Sequence, residues 1–448
     1  MQTKLILLLA LALTSRTSAQ DAIGPTRTIL QPEMEAQVED AGMTGDDFMT
    51  GTWRGTRARM HAAGIDFFGF YNNIINGNVS GGAHSGHWTY DHDIWIGLKF
   101  DLEKLVGWRG GQFVISGIDR EGTGDLTAQY VHSIYSVQQL VGGQRTFLYQ
   151  VFLQQKLLDD RLTFKIGRYG ASDDFNTNPL YGYSLNNGID GNIRNVLFDT
   201  RFSAYPFAVW AASVFIDPTP EFHLKAGIFQ TSQGMFENDL HGLDWQFHSD
   251  DGYTAIFQVG WTPEFGKTVV AGEGKNGASR VLKGLPGHYW VGVTYSEFDF
   301  YHRFLGGFED HSYGFYANAD QMLFQEAPGS DQGLTAFIAS GYYPQEAISI
   351  VPFQINFGLN YKGLFPTRDK DHTMLHFIYG HLSDDYAHSV RANTPHRAES
   401  EKVLEVAHRF QIRNWAYFQP DLQWVIDPGG TGDIPDAVVI GAQMGVTF

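Results

Sequence analysis

Apolar residues alternate with small or polar ones along most of this chain. In 437–448, Val438, Ile440, Ala442, Met444, Val446 and Phe448 fall on one side of an extended backbone. Val439, Gly441, Gln443, Gly445 and Thr447 fall on the other. In 91–102, Ile94, Ile96, Leu98, Phe100 and Leu102 oppose Asp91, Asp93, Trp95, Gly97, Lys99 and Asp101. In 147–156, Phe147, Tyr149, Val151 and Leu153 are set against Gln150, Gln154 and Lys156. In 221–230, Phe222, Leu224, Ala226 and Ile228 oppose Glu221, His223 and Lys225. In 352–362, Phe353, Ile355, Phe357, Leu359 and Tyr361 oppose Gln354, Asn356, Gly358, Asn360 and Lys362. A period of two is the signature of a β-strand with two different surroundings.

Marking every such run predicts about sixteen strands. They fall at 65–78, 91–102, 112–120, 147–156, 161–169, 206–216, 221–230 and 253–263, then at 288–299, 311–324, 332–342, 352–362, 371–382, 399–410, 416–427 and 437–448. Most have the length of a strand that crosses a bilayer at a tilt, about nine to eleven residues. The connections alternate in length. Segments 157–160, 217–220, 325–331, 363–370 and 411–415 are short, and 121–145, 170–205, 231–252 and 383–398 on the opposite side are long. Short periplasmic turns with long outer loops are the asymmetry of outer-membrane barrels. Segment 264–287 breaks it, a long insertion on the short side.

Lipid outside and water inside explain why one face of each strand is apolar and the other polar. A soluble sandwich would alternate too, but it needs two sheets with apolar faces turned inward. A propeller would repeat a shared signature every forty to fifty residues or so, and none is visible. The predicted fold is an all-β, transmembrane, antiparallel barrel of about sixteen strands, preceded by a short periplasmic helical segment.

Composition supports this picture. The chain has 448 residues, 15% aromatic and 18% charged, with 51 Gly and no Cys. No internal run is long and apolar enough for a membrane helix. Residues 1–19 carry Lys4, the apolar core Leu5–Leu13 and the small-residue site Thr17-Ser18-Ala19, the parts of a secretory signal. About nine apolar residues are too few to cross a bilayer. Residues 20–63 then form a polar leader ending in a helix at Thr56–Ala63, stopped by Gly64, and 64–448 form the barrel. The formal net charge of −18 argues against nucleic acid as a partner.

A barrel of this size encloses an aqueous channel, and a long loop folded inward sets its narrowest point. The longest outer loop, 170–205, is rich in Asn, Asp and Tyr. Those residue types suit sugar hydroxyls and ring faces, and they equally suit polar turns. Charged strand residues belong on the water side, because Lys or Arg against lipid at mid-depth costs about 2–4 kcal/mol. Arg168 shares the parity of apolar Leu162, Phe164 and Ile166, so a strand end or a bulge is expected there. Enzyme signatures are lacking: there is no Gly-x-Ser-x-Gly elbow and no phosphate loop. His84, His87 and His92 read as surface histidines, and no metal or cofactor is expected.

Several stretches resemble the carbohydrate-selective porins of Gram-negative outer membranes, the glucose-porin type. They are Gly51–Arg57 with Ala63–Phe67, Leu102–Gly111, Gly167-Arg168 through Asp174-Phe175, Ala204-Tyr205-Pro206 with Trp210, and Gln419–Gly430. The resemblance implies a sixteen-stranded barrel in the outer membrane, passing monosaccharides by diffusion through a constriction lined with arginines and acids. Arg168 and Asp174 match the start of that family's inward loop, and Arg120 lies where the family has a basic residue after the third strand. Strand parity and the loop add Trp95, Lys99, Asp173, Asp199 and Arg201 as candidate pathway residues. Arg120 and Arg168 would bond sugar hydroxyls, and Trp95 would stack on the ring. Expected partners are sugars in transit and the surrounding lipid and lipopolysaccharide, with the chain a monomer or a homotrimer. A general or anion-selective porin is the alternative on the same architecture, and a secreted carbohydrate-active β protein the alternative from another class.

Overall fold

The computed structural model describes residues 47–448 apart from 141, 271–279, 283, 305 and 392–396. The expected signal at 1–19 and the leader up to residue 46 lie outside the described residues. Sixteen long strands run antiparallel to their neighbours. The first eight are β1 (Ile65–Ser80), β2 (His87–Asp101), β3 (Gly111–Gly122), β4 (Thr146–Leu157), β5 (Leu162–Tyr169), β6 (Val209–Thr219), β7 (Phe222–Thr231) and β8 (Gly252–Trp261). The second eight are β9 (Leu285–Tyr301), β10 (Phe308–Gln325), β11 (Gly333–Tyr342), β12 (Phe353–Lys362), β13 (His372–His381), β14 (Ser400–Arg413), β15 (Ala416–Ile426) and β16 (Ala437–Thr447).

Each strand pairs with the next in sequence, and β16 pairs back onto β1, with Phe70 opposite Thr447 and Ile74 opposite Gln443. The sheet is therefore a closed barrel with no edge exposed to hydrocarbon. At the seam the Phe448 N–H donates to the Gly69 carbonyl at 2.9 Å, and the Phe448 ring fills the space a Cβ on Gly69 would take. The helix α1 (Thr56–Ala62) lies just before β1, and Gly64 turns the chain out of it at φ +85°. Arg57 on α1 is buried against Phe48, Trp53 and Phe67, while the Met49 N–H donates to the Thr447 carbonyl. The leader thus caps the seam from the periplasmic end.

The predicted faces hold in most strands. On β12, Phe357 is 45% exposed on the outside, whereas its neighbour Asn356 is fully buried toward the lumen. The exception is β4. Its register against β3 shifts between Ser116 and Gly117, so Gln150 faces Ser116 and Leu148 faces Gly117, with Tyr149 between. Phe147 and Tyr149, expected on the outer face, are buried within the wall instead. One extra residue flips parity, which a simple alternation rule does not foresee.

The short connections 158–161, 220–221, 326–332, 363–371 and 414–415 gather at one end, with 123–145, 170–208, 232–251 and 382–399 at the other; the long segment 262–284 sits at the short end, as expected. The insertion after β8 holds a pair, Glu264–Phe265, that extends the ladder beside β9, then a small hairpin of Thr268–Val270 with Arg280–Leu282.

Hydrocarbon as the outer neighbour has a measurable consequence. Leu359 on β12 and Leu364 in a periplasmic turn are similarly exposed. Leu359→Arg is expected to destabilise the barrel by about 2–4 kcal/mol, and Leu364→Arg by about 0–1 kcal/mol. Equal denaturation midpoints for the two variants in lipid vesicles would contradict this placement.

Candidate functional site: the lumen and its two inward loops

Two outer loops fold into the barrel. Residues 170–208 leave β5 at Gly170, cross the lumen and return to β6. Their asparagines shape the loop: Asn178 caps the turn Pro179–Tyr183 by accepting from the Leu180 N–H, and Asn186 accepts from the Gly188 N–H. The loop then spans from wall to wall. Asn178 donates to Asp320 on β10, the Tyr181 hydroxyl to Asn318, and Asn186 to Gln423 on β15. Asn195 donates to the carbonyls of Gly341 and Val351. Gly341 makes this approach possible, because the Asn195 side chain occupies the place of a Cβ there.

The second inward loop is 123–145, whose Tyr135 hydroxyl sits where a Cβ on Gly380 would be. The two loops bond to each other as well. The Asn187 N–H donates to the Ser136 carbonyl at 2.9 Å, and the Ser136 N–H to Asn187 Oδ1 at 2.8 Å.

The structure brings several expected residues together along one side. Arg120 is fully buried; it donates to the Gly142 carbonyl at 2.6 Å and reaches Asp93 at 3.5 Å, with Tyr205 beneath its guanidinium. The Tyr205 hydroxyl also donates to Asp93. Asp174 pairs with Lys165 at 2.9 Å, and its carbonyl accepts from Lys225 at 2.8 Å. Asp173 accepts from the Tyr149 hydroxyl and from Gln150. Burial raises Asp173 to about 6, with Lys165 drawing it back.

Other candidates sit elsewhere. Arg168 is on the outward side of β5 with Phe164 and Ile166, because the register to β4 and β6 carries no bulge there. Loop 232–251 folds over it, placing Trp245 near its guanidinium, and it donates to the Ala208 carbonyl. That loop also covers the part of β4 that β5 leaves unpaired when it turns inward. The Leu148 N–H donates to the His241 carbonyl, and His241 bonds the Thr146 carbonyl. Arg168 and the lumenal group are thus on opposite sides of the wall.

Trp95 faces inward but is 4% exposed, enclosed by Phe68, Tyr149 and Tyr205 at 5.6–5.8 Å between ring centres. No face of its ring is left for a sugar. Lys99 is partly exposed on the lumen side near the periplasmic mouth. Arg201 lies against Phe236 and Phe298 and donates to the Ser232 carbonyl.

Sequence reasoning missed the lumenal charges of β14. Glu401, Glu405 and Arg409 recur every fourth residue, so they share one face with Val403 and Ala407. Arg409 lies between the rings of Tyr183 and Tyr417 at 4.3 and 4.2 Å, donating to Gln419 and to the Gly182 carbonyl. Charge at a regular i, i+4 spacing in a strand was the available signal.

Asp199 gives the loop a pH dependence. It accepts from the Ile350 N–H at 2.6 Å, and burial raises its pKa to about 7 against the pull of that bond and of Arg303. A carboxyl raised above its unfolded value binds its proton more tightly in the folded chain, so stability falls as pH climbs from about 4 to about 7. The thermal midpoint in detergent is expected to drop between pH 5 and pH 8, and Asp199→Asn to shrink that drop. An identical drop in the variant would remove Asp199 from the account.

Comparison with known proteins agrees with this architecture. The chain is similar to Porin B of Pseudomonas aeruginosa, at 24% identity over 92% of this chain and 94% of that one. It is also similar to a putative porin, QuiX, of Acinetobacter baylyi, at 23% identity over 90% of this chain and 93% of that one. The high-pH structure of Pseudomonas putida OprB superposes with a TM-score of 0.81 at 25% identity, covering 91% of this chain and all of that one. The family model described as carbohydrate-selective porin, OprB family, matches residues 86–448. With a closed barrel of sixteen strands and two loops bonded across its lumen, the chain belongs to the OprB family of carbohydrate-selective porins, channels of the outer membrane.

Proposed function

We propose that the channel passes small neutral sugars such as glucose down their gradient, with the two inward loops and the facing wall as the selective segment. The observation that carries this reading is how the lumen uses its charges. Arg120 is engaged with Asp93, and Lys165 with Asp174. Asp91 accepts from the amides of Gln138 and Gln144. The other inward side chains packed around the passage are largely uncharged carboxamides, among them Asn72, Asn76, Gln139, Asn356, Asn360 and Gln443, all buried. Buried amides add no net charge beside the passage, and charges bonded within the protein leave it better suited to a neutral, hydroxylated solute than to ions; weak bonds along the way let the sugar move on.

Asp173 and Arg201, partly exposed on the long loop, and Lys99 at the periplasmic side fit a path lined by both signs of charge. Arg120 acts by cancelling Asp93 and by holding the Gly142 carbonyl, rather than as a lone cation. Arg168 is outside the path and steadies loop 232–251. Lipid and lipopolysaccharide contact the outward apolar face.

Arg120→Ala leaves Asp93 without its cation. The expected result is a several-fold rise in cation over anion permeability, with weaker discrimination among sugars. Liposome swelling and reversal potentials read the two effects. Arg168→Ala should leave both unchanged. Wild-type channels that admit salt freely and show no glucose block of ion current would end the sugar reading.

A further inference from the structure

We propose that Glu401 and Glu405 on β14 are positioning residues that hold both inward loops in place, and so set the width of the pore and its sugar preference. The preference rests on the reading above; the width does not.

Both carboxylates point into the lumen and both are fully buried. Glu401 receives four bonds from two chain segments. The Ser133 hydroxyl donates at 2.6 Å, the Ile134 N–H at 2.8 Å and the Tyr135 N–H at 3.0 Å, all from loop 123–145. The Gly429 N–H adds a fourth at 2.7 Å from the connection after β15. Glu405 does the same for loop 170–208. The Ser184 hydroxyl donates to it, as do the Leu185 N–H at 2.5 Å and the Asn186 N–H at 3.3 Å.

Among the described residues, neither carboxylate has a Lys or Arg within ion-pair distance. The titratable neighbours of Glu405 are His376, whose Nδ1 is 3.9 Å away, and Asp421 on β15. A buried carboxylate without a cation is costly unless hydrogen-bond donors surround it. Here nearly all of those donors are loop groups. The strand and the loops therefore need each other: lifting a loop would strand a charge, and neutralising the charge would free three or four N–H and O–H groups.

The spacing of four places the two carboxylates on one face of a single strand, beneath two successive outer loops that are each more than 200 residues away in sequence. Gln423 on β15 reinforces the arrangement, donating to the Val137 carbonyl and accepting from Asn186. Because the loops also bond each other at Ser136 and Asn187, loosening either anchor disturbs both.

The test uses the purified full-length porin in planar bilayers, with ion conductance and glucose block measured for the wild type, Glu401→Gln, Glu405→Gln and an exposed control, Glu399→Gln. A glutamine keeps the size of the side chain but turns an amide donor toward the loop's own donors. Heat-dependent gel mobility reports whether the barrel is intact. Intact Glu401→Gln and Glu405→Gln barrels are expected to conduct more than wild type and to be blocked by glucose about tenfold less tightly, with Glu399→Gln unchanged. Intact variants with wild-type conductance and block would overturn the proposal. If the glutamine variants fail to fold, Ser184→Ala decides: removing one loop donor should shift both readouts the same way to a smaller extent, and no shift overturns it. Should wild-type channels show no glucose block, the sugar reading falls while the conductance comparison still decides the anchoring.

Discussion

Every backbone N–H and C=O that enters hydrocarbon must find a partner in the protein, and this requirement organises the molecule. It is met by one continuous ladder that ends where it began, with β16 paired to β1 over ten register positions. The rest is arranged to protect that ladder. Phe448 fits across Gly69, α1 buries Arg57 under the seam, and loop 232–251 supplies partners where β5 turns inward. The same need explains why the chain tolerates a bulge at Tyr149 but no open edge.

Closing the wall creates a second problem inside it. A lumen wide enough for sixteen strands would be an unselective hole. Two loops narrow it, and they do so with polar bonds rather than an apolar core. Asn178 and Tyr181 reach β10, Asn186 reaches β15 and Asn195 reaches β11, and glycines at 341 and 380 clear the space. The loops are thereby fixed at many points and narrow the passage. Rigid placement matters here, because a sugar is told from water by where several weak bonds coincide.

Charge inside the barrel follows a consistent rule. Basic residues meet acids or carbonyls, as Arg120 and Lys165 do, and carboxylates meet amides or backbone N–H groups, as Asp91 and Glu401 do. Cations are neutralised or bonded locally, and carboxylates without a cation are held by hydrogen-bond donors. Arg168 shows what happens on the other side of the same strand: the same residue type is covered by a loop and bonded to a carbonyl, with no part in the lumen.

The sequence by itself determined the barrel. Alternation of apolar and polar residues fixed all sixteen strands and most of their faces, because lipid and water impose opposite demands on neighbouring positions. It also marked loop 170–205 as the one to fold inward. What it left open depended on tertiary contacts. The bulge at Tyr149 reversed the faces of Phe147 and Tyr149, since parity is lost when one residue is unpaired. Trp95 was covered by Tyr205 arriving from 110 residues later in the chain, and Arg168 by a loop beyond β7. Glu401 and Glu405 became anchors only when two distant loops brought their N–H groups over β14. Strand patterns are local and written in period two; which loop meets which wall is a matter of distance in space, and that is decided only once the barrel has closed.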